Sequence, residues 1–401
     1  MALNRQIAAV LRASVARHDA GPAVAAAAAR ASGDELRGLA NAAGFHGLGG
    51  YVHLAIDGVA GIPDDERAQL ATMRTFAAFN HLRTMAALRS LAETFDGAGI
   101  PWLVLKGPTL GGPVHGAPEL RWHGDLDVLV PPDHLRAALA ALERCGSAVL
   151  DRNWTLIHTQ LKGEVHVRLA LDLELDLHWH LLNERGLRAA FPVPLARLHE
   201  CARTIDVDGT PVPTLGAADT VVYVAMHLML SGGHRLIWLK DLERLLTTAA
   251  APVSSVAEVA RAWHAELLLA TAVARMIRVL GPAPGSRDLL RLPDRRQVWL
   301  GIDGLAARSY PIERQDGWGS MTRILGRSVR GSQRASLREL SRRTRQHLGD
   351  RRDRMSVNEF TPSDPTDPRS DRYDAGGAPA RQAFLDEVEA SGGTPPMRTL
   401  P

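Results

Sequence analysis

Residues 124–131, Gly-Asp-Leu-Asp-Val-Leu-Val-Pro, leave a folding chain few choices. Branched and apolar residues alternating with acids predict a strand, and Pro131-Pro132 stops it. Side chains alternate faces along extended backbone, so Asp125 and Asp127 point the same way while Leu126 points into a core. Two carboxylates side by side repel. They are tolerated if both stay in water, if one keeps its proton, or if a cation neutralises them. A hard divalent cation is held by one or two carboxylates plus substrate phosphates. The pair is therefore either a solvated strand edge or a metal-dependent phosphoryl-transfer site.

The surroundings favour the second reading. Gly124 precedes the pair, where backbone can approach a ligand closely. Arg121 supplies a fixed cation suited to phosphate oxygens. An earlier apolar strand at 102–105 ends in Lys106-Gly107, a point charge followed by a residue that lets backbone N–H groups reach phosphate. Further on, residues 165–179 alternate as strands do. Leu171, Leu173, Leu175 and Leu177 fall on one face; Asp172, Glu174, Asp176 and His178 fall on the other. No Walker A sequence or dinucleotide fingerprint occurs.

Leu-Lys-Gly, then Leu-Arg-x-x-Gly-Asp-Leu-Asp-Val-Leu-Val, then an acid-apolar-His-Trp strand end together resemble an uncharacterised nucleotidyltransferase family of the DNA polymerase β-like superfamily. The resemblance spans roughly residues 35–250. Where the superfamily more often has Gly-Ser at the phosphate-binding turn, this chain has Lys106-Gly107. The resemblance implies an α+β fold, with a small mixed-sheet nucleotidyltransferase core between N-terminal and C-terminal helical regions. It implies Mg²⁺, with Mn²⁺ as a substitute, held by Asp125, Asp127 and a third carboxylate. Asp176 aligns best with that third acid, and Glu174 is the alternative. Lys106, Gly107, Arg121, Gly124 and His178 are then expected at the nucleotide, with His178 against the third acid or a phosphate. His227 and Asp241 match polar positions of the family's C-terminal helices, where a structural His–Asp or His–backbone contact is expected, with substrate contact as the alternative.

Five regions are expected: helical residues 1–95, the core at 96–183, a helical region at 184–300, an Arg-rich helical segment at 301–354 and a disordered tail at 355–401. The tail is rich in Pro, Asp, Ser, Gly and Arg with little to bury. Within the core, residues 154–158 read as another strand. Pro63 and the acids after it mark a helix start. With 401 residues, a net charge of only +3, and two cysteines in no metal spacing, a cytoplasmic protein without a disulfide framework is expected. The Ala-rich stretch at 22–29 reads as a helix and not a signal peptide, and no apolar run reaches transmembrane length.

Two rival features remain open. His158, His166, His178 and His180 could serve Zn²⁺ instead. Arg323, Arg327, Arg330, Arg334, Arg338, Arg342 and Arg345 step by three or four, so one helix would carry them as a cationic stripe, either solvated or facing RNA or DNA, an anionic membrane or an acidic protein face. The expected activity is transfer of NMP from an NTP to a hydroxyl acceptor (small molecule, peptide or RNA) with release of pyrophosphate. The alternatives are a nucleotide- or RNA-binding protein that keeps the fold without catalysis, and a toxin-like modifier of tRNA ends.

Overall fold

The computed structural model describes residues 4–16, 20–248, 251–292, 298–309, 311–314, 321–353 and 364–391. The chain is mixed α and β, as expected, and forms two compact units, each assembled from separated stretches.

The first unit, residues 82–109, 124–216 and 353–401, contains the sheet. Its seven strands are β1 (Leu103–Val104), β2 (Asp125–Leu129), β3 (Ala148–Val149), β4 (Glu164–Arg168), β5 (Glu174–His178), β6 (Arg203–Val207) and β7 (Thr210–Thr214). Their order is β3-β4-β5-β2-β1-β7-β6. β2 runs parallel to β5 and antiparallel to β1, while β4 and β5 form an antiparallel hairpin. Leu126, Val128, Val165, Val167, Leu175 and Leu177 all point into one core. Helix Leu135–Arg144 contributes Leu135, Leu139 and Leu142 to it, the face its spacing marks. The opposite sheet face is left to the charged residues between those positions.

Several elements differ from the sequence expectation. Residues 154–158 lie in helix Trp154–Gln160, because the Asn153 side chain caps it by accepting the Leu156 N–H. Residues 165–179 are not continuously extended. Leu171 and Asp172 take positive φ and turn the chain between β4 and β5, so they leave the two faces assigned to them. Arg83 fixes that turn by donating to the carbonyls of Leu171 and Asp172. The region 184–300 is not wholly helical, since β6 and β7 form a hairpin. Its turn is Asp208-Gly209, both at positive φ, as a two-residue hairpin requires.

The tail expectation also meets a folded segment. Residues 364–391 include helix Gly377–Ser391, and its Phe384, Leu385 and Val388 are buried in the sheet's core. Sparse as they are, three apolar side chains close together on one helix are enough to bury it. The rest of the expected tail, residues 355–363 and 392–401, lies outside the described residues.

The second unit, residues 1–81, 110–123 and 217–352, is helical. Helix Asp64–Gly97 begins after Pro63 with three acids in its first turn, as expected. Helices Ala217–Leu230, Leu236–Thr248 and Glu266–Leu280 supply much of the apolar interior. Within it, Arg275 donates from Nε to Asp303 at 3.0 Å, and both side chains are fully buried. The arginine stripe is interrupted. Helix Met321–Ser328 ends before helix Gln333–Asp353 begins, Arg323 is buried, and Arg330 and Arg342 both pair with Glu339. No helix among the described residues is long and apolar enough to cross a membrane.

Candidate active site

β2 and β5 lie side by side in parallel with Asp125 opposite Glu174 and Asp127 opposite Asp176. The antiparallel hairpin then sets Glu164 opposite His178, His166 opposite Asp176 and Arg168 opposite Glu174. Period-two alternation thus gathers acids and cations from three strands on one sheet face.

Asp127 is the deepest of these groups, and its side chain is 3 % exposed against 40 % for Asp125. β1 brings Lys106 to it: the Leu105 N–H donates to the Asp127 carbonyl, and the Lys106 ammonium donates to the Asp127 carboxylate. The same ammonium lies 3.9 Å from Asp125. From the other side, His178 Nε2 stands 3.2 Å from Asp127, and His178 Nδ1 stands 3.2 Å from Glu164. Burial alone would raise the Asp127 pKa, but the Lys106 charge and the His178 contact outweigh it and hold the group well below the usual carboxylate range. Burial likewise opposes the charge on His178, yet its bond to Asp127 and the nearby Glu164 raise its pKa.

Asp176 is pushed the other way. Burial, then the charges of Asp127 and Asp125, raise it to about 8, against the pull of His166. His166 is itself raised to about 10. Burial disfavours its charge, but the hydrogen bond and charge of Asp151, with Asp176 and Glu164, overcome that. Glu174, the alternative third acid, accepts from Arg372 at 2.7 Å.

Asp127, Asp176 and His178 bring one ligand atom each to within 4.8 Å of one another, close enough to share one metal ion. Two carboxylates and an imidazole fit a hard or borderline divalent cation, and the ammonium already drawn to Asp127 shows that this face attracts positive charge. The four histidines of the zinc reading do not gather. His158 contacts Glu387, and His180 Nδ1 accepts the Leu182 N–H. Gly107, buried and at φ 77°, turns the chain directly after Lys106, a conformation that favours glycine. Gly124, exposed, leads into β2.

Arg121 belongs to the helical unit. There it donates from Nε and Nη2 to the two oxygens of Asp241, at 2.8 and 2.9 Å, and both side chains are buried. His115 Nε2 approaches the same carboxylate at 2.8 Å, and the Tyr51 hydroxyl lies 2.7 Å from His115 Nδ1. Burial keeps His115 low in pKa despite Asp241. A neutral ring then carries its proton on Nε2, donates to Asp241 and accepts the tyrosine proton. The histidine against Asp241 is His115, to which the sequence reading gave no role. His227 instead packs edge-on against Trp238.

Residues 32–281 match the family described as uncharacterised nucleotidyltransferase. The chain belongs to this family. No curated protein matches the chain. Family membership supports nucleotidyl transfer as the general activity, and with it an NTP substrate. The nucleotidyltransferase match contains Lys106, Asp125, Asp127, Asp176 and His178, but it ends before residues 364–391.

Sequence reasoning gave no role to Glu164, Asp151, Asp371 or Arg372. For Glu164 the signal was present, in the period-two series Glu164, His166, Arg168. Asp371 and Arg372 come from the end of the chain and carry no local signature.

Proposed function

We propose that the protein transfers NMP from an NTP to a hydroxyl acceptor using Mg²⁺, for which Mn²⁺ can substitute. The observation that carries this reading is the side-by-side placement of Asp125, Asp127 and Asp176 on one sheet face with Lys106 among them. Asp125, Asp127 and Asp176 would hold the metal, and His178 would keep Asp127 oriented through its bond to Oδ1. Bound Mg²⁺ would neutralise the phosphate oxygens and orient the attacking and leaving oxygens.

The acceptor hydroxyl attacks the α-phosphorus in line, the bond to the bridging oxygen of the β-phosphate breaks, and pyrophosphate leaves. Asp176, with the metal bound, would stand on the acceptor side and help take up the hydroxyl proton. Lys106 supplies positive charge to the triphosphate. Gly107 and Gly124 let backbone approach it, since neither carries a side chain. Arg121, expected at the triphosphate, has its Nε and Nη2 bonded to Asp241 in this structure and is given no part in the step.

Label transfer from each α-³²P-NTP to cell extract or RNA, with Mg²⁺ or with EDTA, tests the reading. Asp125→Asn/Asp127→Asn is the control, with its fold checked by circular dichroism. Metal-dependent transfer lost in the control supports it. Metal-dependent NTP binding without transfer for any acceptor favours the binding-only alternative. Retained transfer in the control overturns the mechanism. An RNA acceptor would give a role to the exposed Arg334, Arg338 and Arg345, and its affinity would then fall steeply with salt.

A further inference from the structure

Asp176 differs from its neighbours in how it is held. Asp127 is gripped by Lys106 and His178, and Glu174 by Arg372. His166, its cross-strand neighbour, stands within ion-pair distance of Asp176, with Nε2 3.7 Å from Oδ1. Facing Asp127 and Asp125, the Asp176 carboxylate would otherwise turn away to relieve repulsion.

His166 is itself fixed on every other polar atom. Its backbone N–H donates to Asp151 Oδ2 at 2.9 Å, and its carbonyl accepts the Leu150 N–H at 2.8 Å. Its Nδ1 lies 3.0 Å from both oxygens of Asp151. Asp151 is buried, and the chain that follows it is pinned from far away in sequence. The N–H groups of Arg152 and Asn153 donate to the Asp371 carbonyl, at 2.7 and 2.9 Å. Asn153 Nδ2 donates to the carbonyls of Pro368 and Ser370, at 2.9 Å each, and the Ala375 N–H donates back to Arg152. Only Nε2 of the ring remains, and it faces Asp176.

We propose that His166 is a positioning residue for the third carboxylate, aimed by Asp151, whose loop residues 368–375 hold in place. The inference rests on the proposed metal site. A carboxylate behind a histidine behind a metal-binding group is a known way of fixing ligand orientation, and losing such a partner costs roughly 10–100-fold in metal affinity or activity.

The test is Mn²⁺ binding by the full-length protein, read by EPR with and without a non-hydrolysable NTP analogue, which needs no knowledge of the acceptor. His166→Ala and Asp151→Asn are expected to weaken Mn²⁺ roughly tenfold or more, and His166→Gln, which keeps a donor towards Asp176, to recover part of the loss. Asp151→Asn retains the imidazole, so it tests the idea even if His166→Ala fails to fold. Mn²⁺ affinity within twofold of wild type in all three variants, with Asp127→Asn binding none, overturns the inference and leaves the metal site standing. Equal loss in every variant together with a lowered Tm also overturns it, in favour of a general structural role. Wild-type Mn²⁺ affinity in Asp127→Asn would instead bring down the metal-site reading and the inference with it.

Discussion

Asp176→Asn should stabilise the metal-free protein while removing its activity. In the folded chain the Asp176 carboxyl is raised from 3.8 to about 8, first by burial and then by Asp127 and Asp125. A carboxyl raised on folding favours the folded state most below its ordinary pKa, and that advantage drains away as pH climbs towards the raised value. The slope is about 1.4 kcal/mol per pH unit. From about pH 4 to pH 7 the site therefore costs the wild type up to about 4 kcal/mol, of which relaxation around the acids should leave about 2–4. Asparagine has no proton to lose and no charge to set against Asp127. Urea unfolding in EDTA at pH 4.5 and pH 7.5 reads the difference directly. The variant should match wild type at the lower pH and exceed it at the higher. Adding Mg²⁺ at 100 times its Kd should return about 2.7 kcal/mol to the wild type and little to the variant. A variant less stable than wild type at pH 7.5 without metal, or a difference that ignores pH, would refute the reasoning.

Four further outcomes are expected. Asp125→Asn/Asp127→Asn should lose label transfer with its circular dichroism spectrum unchanged. Lys106→Met, which removes the ammonium on Asp127, should lower kcat/KM for the NTP, measured by label transfer. Asp303→Ala strands the fully buried Arg275 and should cost about 3–5 kcal/mol, seen as a lower urea midpoint. Phe384→Ala empties a fully buried site in the sheet core and should cost about 3–5 kcal/mol, seen by thermal or urea unfolding.

The acidic face was legible because strand periodicity is local. Asp125, Asp127 and Asp176 each sit between apolar neighbours, and register then aligned them. The turn at Leu171-Asp172 was not legible. Its Leu-Ala-Leu-Asp-Leu setting alternates like a strand, and the bend depends on Arg83, which lies far away in sequence. The β6–β7 hairpin carried a local signal, Asp208-Gly209, which the helical expectation for 184–300 passed over. Helix Trp154–Gln160 was hidden because Trp154, Ile157 and Leu161 fit a helical spacing as readily as their neighbours fit a strand, and only the Asn153 cap decides. Arg121 illustrates a different limit. A cation near a glycine and two acids looks available to phosphate, and nothing local reveals that Asp241, 120 residues later, takes it up.

Helix Gly377–Ser391 closes the core of a sheet whose last strand, β7, ends at Thr214. During synthesis the ribosome must make the stretch 217–353 before that helix exists. At ~5–20 residues per second this leaves the groove for Phe384 open for on the order of ten seconds. The sheet can pair its strands in that interval, but it cannot finish its core. Nascent chains should therefore expose an apolar cleft that attracts chaperones, and maturation of the acidic face should lag behind the helical segments made after it.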